Sequence, residues 1–159
     1  MSLFLFISFA IAEPLTVNVE SLRAKPDGKT DGTKAFLAAW AKACASINPA
    51  VIYVPAGSFL LSKVVFTGQC KSNAITFEIA GTLVAPSDYR VIGNADNWIL
   101  FQHVNGVTIS GGILDGQGTG LWACKSAGKT CPTGATVSSS FYNVLSIVYL
   151  IVACGSCLY

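Results

Sequence analysis

Phe77-Glu-Ile-Ala-Gly-Thr-Leu-Val84 and Val107-Thr-Ile-Ser-Gly-Gly-Ile-Leu114 are two versions of one pattern: an alternating strand, a glycine bend, and a second short strand. Aligned end to end, they place Gly81 on Gly111. A residue without a Cβ lets the backbone turn a corner between strands, and a pattern that returns stacks like residues on like. The two segments therefore predict consecutive coils of a β-helix, with Asp88 to Asn97 as a loop inserted between them.

The flanking sequence extends the same series. Val51–Val54, Phe59–Leu61, Val64–Phe66 and Ile75–Ile79 are short β-prone runs, as are Thr82–Val84, Ile99–Val104, Val107–Ser110 and Ile113–Leu114. Gly, Pro, Ser and Asn separate them. No helix-length pattern recurs between them, which argues against a doubly wound α/β sheet. Upstream, Leu15–Val19 is an alternating strand, and Lys25 to Asp31 is a turn cluster. Thr33 to Cys44 then places Phe36, Leu37, Trp40, Ala41 and Cys44 on one helical face. Asp31 or Thr30 is the expected N-cap, its side-chain oxygen accepting a free backbone N–H of the first turn.

Of the 159 residues, 52% are hydrophobic and only 11% charged, against about 25% charged in ordinary soluble domains. So low a charged fraction fits a layered β structure. The formal charge of +2, spread from Arg23 to Lys129 without a run, does not make a nucleic-acid footprint. Residues 1–12 read as the apolar region and small-x-small cleavage site of a secretory signal, although no Lys or Arg stands near Met1. A run of that length falls short of the ~20 residues of a membrane span. Secretion makes disulfides the natural use of the six cysteines. Cys44, at the helix end, and Cys70, after a strand, are one candidate pair; Cys124 and Cys131, around a polar loop, are another. Cys154-Gly-Ser-Cys157 is a lone CxxC. Zinc would need two further ligands, and His103 is the sole histidine, so no metal site is expected.

The series Lys25-Pro-Asp-Gly-Lys-Thr-Asp-Gly-Thr-Lys-Ala-Phe36, Val54-Pro-Ala-Gly-Ser-Phe59 and Gly111-Gly-Ile-Leu-Asp-Gly-Gln-Gly118 with Trp122 resembles the opening of plant polygalacturonases. These are exopolygalacturonase-like members of glycoside hydrolase family 28, in the pectin-lyase-like superfamily. Order and spacing match through Cys124 and Cys131 to Asn143, covering roughly residues 15–143. The resemblance implies an all-β, right-handed parallel β-helix, incomplete, with one N-terminal capping α-helix. It also implies inverting hydrolysis of α-1,4-galacturonan in pectin, no cofactor, and an extracellular, cell-wall location. Gly32 departs from the family, which usually carries a second Asp there.

An inverting glycosidase needs two facing carboxyl groups, one protonating the leaving oxygen and one activating water. The chain offers eight acids: Glu13, Glu20, Asp27, Asp31, Glu78, Asp88, Asp96 and Asp115. Asp27 and Asp31 suit turn and cap roles. Asp88 and Asp96 share a loop with Arg90, and Glu78 alternates outward between Phe77 and Ile79. Asp115 sits in a glycine-rich corner where an Asx turn accounts for it. The family's Asn-Thr-Asp, Asp-Asp, Gly-His-Gly and Arg-Ile-Lys segments do not occur, and His103, read as a strand residue, lies between Gln102 and Val104. No catalytic residue is carried over, and the chain itself is expected to be inactive. The alternatives are a non-catalytic pectin-binding β-helix protein of the cell wall and another β-helix enzyme such as a lyase. Lyases of this fold often bind Ca²⁺ through acid clusters, which this sequence lacks.

Residues 13–143 are thus expected to form the N-terminal part of the β-helix domain, and 144–159 a divergent apolar tail. A buried strand, a short helix and translated non-coding sequence all fit that tail, and the third is adopted. With roughly three coils and no polar cap, the chain is expected to be poorly soluble and to fold poorly on its own.

Overall fold

A computed structural model describes residues 13–95, 97–134, 136–140, 147–148 and 151–152. The expected signal (1–12), Asp96, and the Cys154–Cys157 motif lie outside the described residues.

The strands in sequence order are β1 (Leu15–Asn18), β2 (Asp27–Asp31), β3 (Ala50–Val54), β4 (Ser58–Leu60), β5 (Val64–Thr67), β6 (Ile75–Ile79) and β7 (Thr82–Val84). They continue with β8 (Asn97–Gln102), β9 (Val107–Ser110), β10 (Ile113–Asp115), β11 (Thr136–Ser140), β12 (Ile147–Val148) and β13 (Ile151–Val152). Helix α1 is Thr33–Ala45 and α2 is Thr119–Ser126. Three parallel sheets run along the molecule, in the orders β1-β3-β6-β9-β12, β2-β4-β7-β10-β13 and β5-β8-β11. Among the described residues, three circuits of the backbone visit the three sheets in turn, which makes a right-handed parallel β-helix with three complete coils.

Alternation decides what enters the interior. Phe77 and Ile109 stack on Ile52, Leu83 and Leu114 on Phe59, and Phe101 on Phe66. Helix α1 takes the place of a third-sheet strand in the first circuit and closes that end of the stack. Trp40 reaches inward to the rings of Phe66, Phe77 and Phe101, with centroids 5.3, 6.0 and 5.9 Å away. Its indole N–H donates to the Thr67 carbonyl at 2.9 Å, so the polar atom of this inward ring is satisfied. Cys44 and Cys70 are disulfide-bonded and tie the C-terminal end of α1 to the first complete coil.

Several sequence expectations shift. The repeat is real but its register differs. Phe77 pairs with Ile109, not Val107, and Leu83 with Leu114, not Ile113. One residue fewer separates β9 from β10 than the corner glycines of the sequence alignment imply, so Gly112 takes the corner that Gly81 holds one coil earlier. A one-residue slip would turn Ile113 inward and Leu114 outward; as built, Leu114 is buried and Ile113 exposed. The Asp88–Asn97 segment interrupts a coil, between β7 and β8, and does not lie between coils. Lys25–Asp31 is not all turn, because β2 pairs in parallel with β4 as a charged edge strand. The inner face of α1 is Ala35, Phe36, Ala39, Trp40 and Ala43, while Leu37 and Ala41 face outward. Alanines on that face let the helix approach the first coil closely. Position Gly32 is the N-cap of α1, yet Asp31 does accept the Thr33 N–H at 2.8 Å, as expected of a capping acid.

Of the tail 144–159, only two short pairs are described. Ile147–Val148 aligns with Ile109–Ser110, and Ile151–Val152 with Ile113–Leu114, both in parallel. Among the described residues, no helix is long and apolar enough to cross a membrane.

Candidate active site

Each described acid has a place that defines what it can do. Asp27 folds back on its own strand: Oδ1 accepts the N–H groups of Lys29 and Thr30 at 2.8 and 2.7 Å, and Oδ2 accepts the Thr30 hydroxyl at 2.7 Å. The backbone N–H and hydroxyl of Thr30 lead in lowering its pKa to about 2. Asp31 joins the start of α1 to the turn after β4, accepting the Ser62 hydroxyl at 2.6 Å. Partial burial pushes its carboxyl up, but the hydrogen bonds of Ser62 and Thr33 outweigh that and leave its pKa lowered. The Arg90 guanidinium grips both oxygens of Asp88 at 2.9 Å on the surface. That contact lowers the carboxyl's pKa and raises the guanidinium's.

Glu78 faces solvent on the first sheet, between Tyr53 and Ser110 in the same ladder. Half-buried at the end of β10, Asp115 accepts the Gln117 N–H at 2.9 Å, the Asx turn expected from its glycine-rich setting. His103 stands just past β8 with φ +55°, an exposed turn residue and not the strand residue expected. No group of three or more His, Cys, Asp or Glu among the described residues could hold a metal ion.

Register gives the distance between Asp31 and Asp115, which end their strands in the second sheet. Asp31 aligns with Leu60, Leu60 with Val84, and Val84 with Asp115. Three strand spacings of ~4.8 Å separate their backbones by roughly 14 Å. An inverting pair needs ~6.5–9.5 Å between carboxyl groups. Each carboxylate is also held by a local backbone N–H.

The sequence marks two loops, Asp88–Asn97 and the one bracketed by Cys124 and Cys131, but neither α2 nor the contact between them. Two excursions leave the coils after second-sheet strands, one between β7 and β8, the other carrying α2 between β10 and β11. They meet: Gly134 N–H donates to the Gly93 carbonyl at 3.2 Å, and Gln117 Nε2 to the Ala85 carbonyl at 2.6 Å. Cys124 and Cys131 are bonded across the second excursion. Lys125 donates to the Thr133 carbonyl and places its ammonium 5.1 Å from the exposed Trp122 ring. With eight residues and no buried side chain, α2 leaves no apolar period to detect.

Residues 44–146 match glycosyl hydrolases family 28. The chain belongs to that family. Among the relatives of this family-28 protein, a polygalacturonase from Prunus persica is 78% identical over 131 residues, 82% of this chain and 33% of the relative. A polygalacturonase from Gossypium barbadense is 44% identical over 119 residues, 74% of this chain and 29% of the relative. An exopolygalacturonase from Zea mays is 39% identical over 113 residues, 70% and 27% respectively. The chain thus spans about a third or less of the curated relatives it matches. The parallel coils of this family-28 protein are the structure within which its carboxylates are fixed.

Proposed function

We propose that this chain serves the hydrolysis of α-1,4-linked galacturonan in pectin, supplying N-terminal coils of a secreted, cell-wall polygalacturonase. The observation that carries this reading is the 78% identity to the Prunus persica polygalacturonase across 131 residues. Residues 1–12 act as the secretory signal, 13–143 as the coil domain, and 144–159 as a divergent tail. Inverting hydrolysis needs one carboxylic acid to protonate the glycosidic oxygen and a carboxylate opposite to activate water. The acids described here are held in turns, in an ion pair, or singly on the surface. No catalytic residue is assigned among them, and the 159 residues alone do not cleave pectin.

Exchanging the matched segment of the Prunus persica enzyme for the corresponding residues of this protein tests the reading. The chimera is expected to hydrolyse polygalacturonate, and to keep doing so with Asp115→Asn. A folded but inactive chimera would contradict it.

A second reading, a non-catalytic pectin-binding protein of the wall, draws support from the formal charge of +2 and from the engagement of Asp27, Asp31, Asp88 and Asp115 in hydrogen bonds within the fold. Co-sedimentation of the protein with pectin but not with a neutral glucan, without release of reducing ends, would favour it.

A further inference from the structure

Four dipeptides among the described residues join Asp or Asn to glycine: Asp27-Gly28, Asp31-Gly32, Asn105-Gly106 and Asp115-Gly116. The three aspartates accept hydrogen bonds from backbone N–H groups two residues ahead. Asn105 differs. It is exposed in the turn between β8 and β9, and no hydrogen bond to its carboxamide occurs among the described residues. The Gly106 N–H makes no backbone hydrogen bond either, although the Gly106 carbonyl accepts the Ile75 N–H at 2.9 Å. Glycine is obligatory here: φ is +68° and an added Cβ would collide with the Asn73 carbonyl. Residue 106 thus carries no side chain to shield its nitrogen from the preceding carboxamide.

We propose that Asn105-Gly106 is a site of spontaneous, backbone-assisted deamidation. The Gly106 nitrogen gives up its proton to solvent base and attacks the carboxamide carbon (Cγ) of Asn105. A new bond joins that nitrogen to Cγ, closing a succinimide ring, and the bond from Cγ to Nδ2 breaks with release of ammonia. Water opens the ring at either carbonyl, leaving aspartate or isoaspartate at position 105. One water is consumed and one ammonia released, and no oxidant or cofactor takes part. The isoaspartate product routes the backbone through the former side chain and lengthens the turn by one methylene. Gly106 is held against Asn73 and bonded to Ile75 of the preceding coil, so the longer turn loosens the stacking of β9 on β6.

Peptide mapping of the folded protein after incubation in mildly alkaline buffer tests this, with the urea-unfolded protein as reference. The expected result is amide loss with isoaspartate at Asn105, faster at higher pH and ahead of isomerisation at Asp27, Asp31 or Asp115. Aged protein should melt earlier than fresh protein, and Asn105→Ser should lose both the product and the earlier melting. Retention of the Asn105 amide in the folded protein while the unfolded form deamidates would overturn the proposal. So would isomerised Asp27, Asp31 or Asp115 accumulating first.

Discussion

At the scale of single residues, carboxylates sort by what their oxygens touch. Asp27 and Asp31 have lowered pKa values because backbone N–H groups and hydroxyls favour their charged forms. The sign of the pH effect follows. A group with a folded pKa below its unfolded value of about 3.9 contributes stability that is fully present above that value and declines as pH falls through the folded one. For Asp27 the window runs from there down to about 2. Asp27→Asn keeps the acceptor for Lys29 and Thr30 but removes the titration. A plot of Tm against pH should therefore show a shallower acid limb in the variant; an unchanged limb would contradict the assignment. In the interior, Phe66 contacts Trp40, Phe77 and Phe101 with centroids 5.3, 5.2 and 5.0 Å away. Phe66→Ala should cost about 3–5 kcal/mol by cavity formation, read as a lower midpoint in urea.

At the scale of elements, the two disulfides differ in the loop they close. Cys44 and Cys70 are 26 residues apart, Cys124 and Cys131 only 7. Loop-closure entropy puts the first at about 3.5 kcal/mol and the second at about 2.4 kcal/mol. The first also fastens α1, whose Trp40 closes the stack. Paired Cys→Ala substitutions should lower Tm more at Cys44/Cys70 than at Cys124/Cys131 in thermal melts.

The same elements show what sequence could reveal. Strands β3 to β10 were legible because alternation and glycine breaks mark them locally. Their register was not: two glycines stand side by side at Gly111-Gly112, and a local pattern cannot say which of them turns the corner. Strand β2 was hidden by its polar sequence, Asp27-Gly-Lys-Thr-Asp31, because its pairing with β4 is made by the backbone. Helix α2 was hidden because it buries nothing. Asp115 was legible as a turn residue, since its Asx bond is local; the contact of Gly134 with Gly93 is not local and left no signal.

At the scale of the whole molecule, parallel stacking separates Asp31 and Asp115 by whole strand spacings. Charge on β2 guards the open edge of the second sheet, as Lys and Asp do on exposed strands elsewhere. Among the described acids, Asp27, Asp31, Asp88 and Asp115 are engaged by hydrogen bonds within the coils and loops. The most direct test is reducing-sugar release from polygalacturonate by the purified 159-residue protein, beside its Asp115→Asn variant. Neither protein is expected to release sugar above the protein-free blank. Turnover by the unaltered protein that disappears in Asp115→Asn would contradict this.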